Sequence, residues 1–181
     1  MMMGAKIILL HGQRNEGKTT KLWNLFTELS PIRPDTTGFI APGIWDQDQK
    51  TGYNLLDLSS RTLHPLATRT LVPNSFACGN FYFFQDTVDY GNRLVKKSME
   101  LNSPVVIVDE IGRFELEGKI WHNAFQLLCH AENLTLIAGV RTSFLEAVKE
   151  KFCLKSTIDF SLSINNETII HELLTLPGRD I

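Results

Sequence analysis

Apolar residues recur along the chain at two spacings, one typical of helices and one typical of buried strands. A short apolar run over residues 5–10 precedes Gly12, and residues 18–29 carry apolar side chains three and four positions apart. Val105–Val108 gives the strongest strand pattern, because all four residues are apolar and β-branched. A strand that is apolar on both faces implies helices on both sides of its sheet.

The alternation of strand and helix continues to the end of the chain. It predicts strands at residues 81–84, 134–140 and 159–164, helices at residues 85–101, 120–131 and 145–152, and a last helix capped by Asn166. Parallel strands need long right-handed crossovers, so this order predicts an α/β fold in three layers with a mostly parallel sheet. We expect residues 1–181 to form a single domain.

One part of the chain departs from this alternation. The segments 38–41 and 53–57 flank the polar stretch 46–52, which predicts a β-hairpin excursion. Proline, asparagine and glycine punctuate residues 59–80, which therefore indicate a surface segment without a regular element. The aromatic run Phe81–Phe84 is interpreted as core rather than as a platform for stacking bases.

Composition and charge narrow the class of protein. Of the 181 residues, 43% are hydrophobic and 21% are charged, as in an ordinary globular domain. The formal net charge of −2 argues against a protein that binds duplex nucleic acid by neutralising many phosphates. No apolar run approaches the roughly 20 residues of a membrane span, and no export signal is evident. Three cysteines without a CxxC pair indicate neither a disulfide framework nor a zinc site, so we expect a cytoplasmic protein.

The first chemical signal is a phosphate-binding loop, the Walker A motif. The string GQRNEGKT, from Gly12 to Thr19, matches G-x-x-x-x-G-K-[ST] in full and lies between a predicted strand and a predicted helix. The two glycines let successive backbone N–H groups turn inward, and the helix N-terminus adds further free N–H groups. The residues predicted to bind the nucleotide are Gly12, Gln13, Arg14, Asn15, Glu16, Gly17, Lys18, Thr19 and Thr20.

Within this loop the side chains have different predicted tasks. Lys18 is expected at the β and γ phosphates, Thr19 at a magnesium ion and Thr20 at the α phosphate. Glu16 would repel a triphosphate unless its side chain turns outward, and Arg14 is expected to offset that charge.

The second signal is the acidic pair that follows Val105–Val108, in the position of a Walker B motif. Asp109 is predicted to hold magnesium through water, because this ion keeps much of its hydration. Glu110 is predicted to orient an attacking water or to take its proton, which favours hydrolysis. In the alternative interpretation, both acids only cap the following turn.

Other polar residues are weaker candidates. Arg141 and Thr142 follow a predicted strand, where they would either sense the γ phosphate or serve as a solvated arginine and a helix cap. Arg113, on the same predicted loop as Glu115, would either neutralise developing charge or lie at the surface. His11 is interpreted as a partly buried histidine without a chemical role.

Taken together, the strings GQRNEGKTT and VDEIGRFEL resemble the small P-loop nucleoside-triphosphatases of the cancer-related nucleoside-triphosphatase type. Two further segments also resemble this family: Thr37-Gly38-Phe39 and the ending Ile164-Asn165-Asn166-Glu167. The resemblance implies a RecA-like core and slow, magnesium-dependent hydrolysis of ATP, GTP and other nucleoside triphosphates to diphosphates. The resemblance implies that the triphosphate is bound by Gly12, Gly17, Lys18 and Thr19. It also implies that Asp109 and Glu110 act on the metal and the water. The family loop carries small residues where this chain has Arg14, Asn15 and Glu16.

Two other functions stay open from the sequence. A kinase for a nucleotide or another small molecule would need a lid and an acceptor pocket, and no arginine-rich lid is evident between Lys96 and Ile181. A nucleotide-gated binding module would use slow hydrolysis to time an interaction, with the hairpin at residues 46–52 as its contact surface. The sequence identifies neither a protein partner nor the preferred base.

Overall fold

The computed structural model describes residues 4–175, and at its centre lies a parallel β-sheet. The parallel strands, in spatial order, are β10 (Thr157–Ser161), β1 (Lys6–Gly12), β9 (Thr135–Arg141), β8 (Val105–Ile111) and β2 (Thr37–Ile40). Because these strands run in one direction, their carboxyl ends meet at one edge of the sheet. The predicted α/β fold with a parallel core is confirmed.

Helices cover both faces of this sheet. They are α1 (Lys18–Leu29), α2 (Gln85–Glu100), α3 (Arg113–Leu116), α4 (His122–Cys129), α5 (Leu145–Lys151) and α6 (Asn166–Leu174). Alternate residues of β1 belong to two separate apolar clusters: Ile8 and Leu10 pack with α1 and α6, whereas Ile7 and Leu9 pack with α2, α4 and α5. The fold therefore has the three predicted layers, with helices on both sides of one sheet. No helix within residues 4–175 has the length and apolar character needed to cross a membrane.

Beyond β2 the sheet continues as an antiparallel extension that is larger than the predicted hairpin. Its strands are β3 (Gly43–Asp46), β4 (Gln49–Asp57), β5 (Leu63–Thr68), β6 (Ser75–Cys78) and β7 (Phe81–Phe84), joined in the order β2-β4-β5-β7-β6 with β3 beside β4. Residues 59–80 thus contain two strands where no regular element was predicted. Pro65 fits within β5 because the register with β4 shifts between Tyr53 and Asn54, so that Leu66 is an extra, bulged residue.

Some predicted boundaries are wrong. The last strand ends at Ser161 rather than at residue 164, and β8 continues through the acidic pair to Ile111. Asn165, not Asn166, caps α6, since its side-chain oxygen accepts the Thr168 N–H at 2.9 Å. The Phe81–Phe84 run belongs to the core as predicted, because Phe81 and Phe83 are both buried.

Gly38 is the position where β2 depends most strictly on glycine. Its φ is +108°, and a Cβ built on it would lie 2.0 Å from the backbone oxygen of Ile107 in β8. A backbone atom of a central strand has little freedom to move, so any side chain at this position disrupts the pairing of β2 with β8.

We expect Gly38→Ala to lower the free energy of unfolding by about 2–4 kcal/mol, through backbone strain and overpacking together. Gly118→Ala is the matched control, because Gly118 also has a positive φ of +77° but no heavy atom lies within 4 Å of its added Cβ. That variant should lose only about 1 kcal/mol. Equal losses in urea unfolding of the two variants would contradict the role given to the Ile107 contact.

Candidate active site

The phosphate-binding loop connects the carboxyl end of β1 to the first turn of α1. Asn15 and Gly17 adopt left-handed conformations with φ of +61° and +95°, which turns the chain sharply before Lys18. No side chain caps the N-terminus of α1, so its first backbone N–H groups are free to bind an anion. The loop residues 13–17 are all exposed. The loop therefore has the open, concave backbone that phosphate binding requires.

Lys18 is buried inside the loop although it carries a charge. Only 6% of it is exposed, and its Nζ donates to the carbonyl oxygens of Gln13 at 3.0 Å and Gly12 at 3.4 Å. Among residues 4–175, no carboxylate lies within ion-pair distance of this ammonium group. Its charge is thus left available to an anionic ligand at the loop.

Glu16 turns inward rather than outward. Its carboxylate accepts the backbone N–H of Gln13 across the loop, and its Oε2 would lie 3.0 Å from a Cβ added to Gly12. The negative charge therefore occupies the mouth of the concave loop, where a phosphate oxygen would compete with it.

The acidic pair lies on a β-bulge in β8. Val108 pairs with Ala138 and Ile111 pairs with Val140, so Asp109 and Glu110 together oppose the single residue Gly139. Glu110 accordingly has a φ of +62°, a strained value for a residue with a side chain. In a regular strand, two consecutive side chains point to opposite faces of the sheet. The bulge instead takes the consecutive carboxylates of Asp109 and Glu110 out of the regular ladder.

Asp109 is fully buried and is held by three donors. Its Oδ2 accepts the Thr19 hydroxyl at 2.6 Å and the Ala41 N–H at 3.3 Å, and its Oδ1 accepts the Glu110 N–H at 2.8 Å. Gly139 makes room for this carboxyl group, because a Cβ there would lie 2.6 Å from Oδ1. No local pattern predicts the requirement for glycine in β9, because this requirement arises from a contact between two strands.

Burial raises the pKa of Asp109, and the neighbouring negative charge of Glu110 raises it further. A cation beside Asp109 would favour the ionised carboxylate. The oxygens of Thr19 and Asp109 are hard donors that suit magnesium, which takes few protein ligands and completes its shell with water and phosphate oxygens. No group of three or more His, Cys, Asp or Glu in residues 4–175 is placed to hold a metal ion.

Two residues of β4 reach the same region and were missed by sequence analysis. Lys50 is half-buried; desolvation lowers its pKa while the charge of Glu110 opposes that shift. Burial, with a contribution from Glu110, raises the pKa of Tyr53 to about 12. The Lys50 ammonium lies 4.6 Å from the centre of the Tyr53 ring. In the sheet β4 is separated from β8 by β2, and only the folding of the antiparallel extension brings Lys50 and Tyr53 near Glu110, so the sequence pattern carries no signal for this pair.

A cavity of about 210 Å³ lies beside Glu110. Its polar side includes Arg14 from the phosphate-binding loop, Glu110 and Arg141. Most of the remaining wall is apolar and aromatic. The cavity thus adjoins the acidic pair on the side of the antiparallel extension.

The weaker candidates differ in their placement. Arg141 lines the cavity and lies over the Phe144 ring at 5.5 Å. The Thr142 hydroxyl is 3.3 Å from His11 Nδ1 at the exposed edge. Arg113 belongs to α3 rather than to a loop; it lies at the cavity rim but is exposed and pairs with Glu117 at 2.8 Å.

Glu115 is a buried carboxyl group that connects α3 to α4. It accepts the N–H groups of Gly112 at 2.9 Å and Trp121 at 3.3 Å. Burial raises its pKa to about 8, so at neutral pH the folded protein keeps it mostly protonated.

The folded state should therefore lose stability as pH rises. Between the unfolded pKa of 4.5 and the folded pKa of about 8, the folded chain retains a proton that the unfolded chain has released. The free energy of unfolding should fall by a few kcal/mol across this window and then level off. In Glu115→Gln this contribution should be absent, so the stability difference between wild type and variant should change with pH in urea unfolding. A stability difference between wild type and Glu115→Gln that stays constant from pH 5 to 9 would contradict the raised pKa of Glu115. Glu117→Gln, which changes an exposed carboxylate, serves as the control.

Known proteins similar to this chain share its fold over nearly the full length. Nucleoside-triphosphatase THEP1 of Thermotoga maritima is 24% identical over 174 residues, which cover 93% of this chain and 94% of that protein. The solution structure of a human cancer-related nucleoside triphosphatase has a TM-score of 0.64 at 19% identity and covers 94% of both chains. The crystal structure of THEP1 from the hyperthermophile Aquifex aeolicus has a TM-score of 0.67 at 19% identity, covering 96% of this chain and 99% of that one.

The P-loop fold predicted from the sequence is therefore confirmed by solved structures. The NTPase family matches residues 7–174, a range that contains the phosphate-binding loop, the acidic pair and all the strands of the sheet except the first residue of β1. This match confirms the predicted enzyme class and the resemblance drawn from GQRNEGKTT and VDEIGRFEL. The chain belongs to the NTPase family and is a nucleoside-triphosphatase.

Proposed function

We propose that this protein hydrolyses nucleoside triphosphates to diphosphate and phosphate, with magnesium and with broad tolerance of the base. One observation carries the proposal: the 2.6 Å hydrogen bond from Thr19 to Asp109 joins the phosphate-binding loop to the acidic pair. We further propose that a single domain, residues 1–181, carries this function in the cytoplasm.

The triphosphate is bound by the loop from Gly12 to Thr20. Backbone N–H groups of this loop and of the first turn of α1 donate to phosphate oxygens. Lys18 leaves the carbonyl oxygens of Gly12 and Gln13 and donates to the β and γ phosphates. All of these contacts are made to the triphosphate and none to the base, which is the reason for proposing broad base tolerance.

Thr19 and Asp109 are the residues that would hold magnesium, Thr19 directly and Asp109 in part through water. When bound, the ion supplies positive charge to the β and γ phosphate oxygens. The hydrogen bond between the two side chains holds their oxygens 2.6 Å apart, which supports a shared role at one ion.

Glu110 acts on the attacking water. Its carboxylate accepts a hydrogen bond from the water and then its proton, as the water oxygen bonds to the γ phosphorus. The bond from phosphorus to the β–γ bridging oxygen breaks, and Lys18 stabilises the charge that develops on the diphosphate. The strained φ of Glu110 supports this role, because strained residues are common at active sites.

The proposed role of Glu110 is tested by Glu110→Gln. The amide keeps the shape of the side chain but cannot take a proton, so phosphate release from ATP, GTP, CTP and UTP should fall about 100-fold or more. Nucleotide binding, measured by calorimetry, should remain within a few-fold of wild type.

The control is Glu117→Gln, which removes an exposed carboxylate that pairs with Arg113 and Lys119. It should leave phosphate release unchanged, and excess chelator should abolish release by the wild type. Unchanged turnover in Glu110→Gln would remove this residue from the proposed role.

The inward carboxylate of Glu16 should weaken binding of the triphosphate, because the phosphate must displace it from the Gln13 N–H. Glu16→Ala should therefore lower the Kd for ADP with magnesium by about tenfold, a gain of about 1.4 kcal/mol. Glu100→Ala removes the same charge at an exposed site on α2 and serves as the control. Binding that is unchanged or weaker in Glu16→Ala would show that Glu16 does not compete with phosphate.

A further inference from the structure

The cavity beside Glu110 is larger than hydrolysis needs. One water molecule takes a share of about 30 Å³ in the liquid, so a cavity of about 210 Å³ has room for several waters or for one small organic molecule. We propose that this cavity binds a nucleoside whose hydroxyl group accepts the γ-phosphoryl group, which gives the protein a phosphotransferase activity besides hydrolysis. The inference rests on the proposed function, because the same bound triphosphate supplies the phosphoryl group.

The position of the cavity suits an acceptor. Asp109 and Thr19 mark where the γ phosphate lies, and Glu110 follows Asp109 on the bulge and lines the cavity. The sheet order places the antiparallel extension beyond β8 and β2, on the side away from β10. An occupant of the cavity therefore lies beside Glu110 and Arg14, next to the residue proposed to act on the nucleophile.

The walls of the cavity suit a planar ring better than water. Tyr53, Phe81, Phe83 and Phe144 present aromatic surface to it, and Leu66 adds an aliphatic side chain. Phe81 and Tyr53 pack edge to face with ring centres 5.2 Å apart, which fixes this part of the wall. Such aromatic surfaces stabilise a stacked base.

The cavity is also lined by polar groups that can bind the polar parts of a nucleoside. Asn80 lies at the exposed rim, and Tyr53 keeps its proton because its pKa is raised to about 12, so both can donate to a base. Arg14 and Arg141 line the same cavity as Glu110 and balance the negative charge of the phosphoryl group during transfer. The volume is below the roughly 300 Å³ of typical sites for larger ligands, which favours a single-ring nucleoside.

The chemistry of transfer follows that of hydrolysis with a different nucleophile. The nucleoside hydroxyl oxygen bonds to the γ phosphorus, and its proton passes to Glu110. The bond between phosphorus and the bridging oxygen breaks, and nucleoside diphosphate leaves. The products are a nucleoside monophosphate and a nucleoside diphosphate, and no oxidant or further reactant is needed.

The test measures transfer and hydrolysis in the same reaction. Wild-type protein is incubated with magnesium, γ-labelled ATP and, in turn, uridine, cytidine or thymidine, and labelled nucleoside monophosphate and free phosphate are both measured. We expect at least one nucleoside to become labelled and to lower the yield of free phosphate. Calorimetry with protein saturated with ADP and magnesium should detect binding of the same nucleoside.

Two variants connect the activity to the cavity. Phe144→Ala removes an aromatic wall and should raise the KM for the nucleoside about tenfold while hydrolysis without nucleoside stays unchanged. Asn80→Trp fills the rim from an exposed turn, without changing the core, and should have a similar effect. Phe84→Ala is the matched control, since Phe84 is another partly buried phenylalanine that does not line the cavity. It should leave the KM for the nucleoside unchanged.

Several outcomes would overturn the inference while leaving the proposed hydrolysis intact. One is normal phosphate release with no labelled nucleoside and no nucleoside binding. Another is competition between nucleoside and ATP, which would place the base of ATP in the cavity. A third is equal loss of transfer in Phe144→Ala and Phe84→Ala. Absence of both phosphate release and ATP binding would instead reject the proposed function itself.

Discussion

The hydrogen bond between Thr19 and Asp109 is the interaction on which the rest of the site depends. It joins the first turn of α1 to β8 across the intervening strand β9, and a fully buried carboxyl group makes it. An unpaired carboxylate at that depth would be costly, so the donors from Thr19, Ala41 and Glu110 are needed for folding as well as for chemistry. Burial and the neighbouring charge of Glu110 nevertheless leave the pKa of Asp109 raised.

This interaction in turn requires two backbone features of the neighbouring strands. The bulge at Asp109 and Glu110 places both carboxylates at one edge of the sheet, and Gly139 leaves the space that the Asp109 carboxyl group fills. Glu110 has a positive φ as a result. Backbone strain at a residue proposed to act on the nucleophile agrees with the general tendency of active sites to hold strained residues, which the surrounding β-sheet must stabilise.

Local signals allowed the sequence to predict the parallel core and half of the site. The Walker A string, the helix at residues 18–29 and the acidic pair after Val105–Val108 depend on neighbours in sequence, and the structure places them as expected. Lys50, Tyr53 and Gly139 could not be found in this way, because each matters through a contact with another strand. The strands within residues 59–80 were missed for a related reason: Pro65 argues against a strand until a bulge accommodates it.

The bulge in β8 and the bulge between β4 and β5 both contribute a side chain to the same cavity. The bulge in β8 directs Glu110 into the cavity, and the bulge between β4 and β5 leaves Leu66 as an extra residue that lines the same cavity. A regular ladder at either place would turn these side chains to other faces, because strand side chains alternate. The antiparallel extension is therefore more than a cover for the edge of β2. It adds apolar and aromatic side chains to a cavity whose polar lining includes Arg14, Glu110 and Arg141.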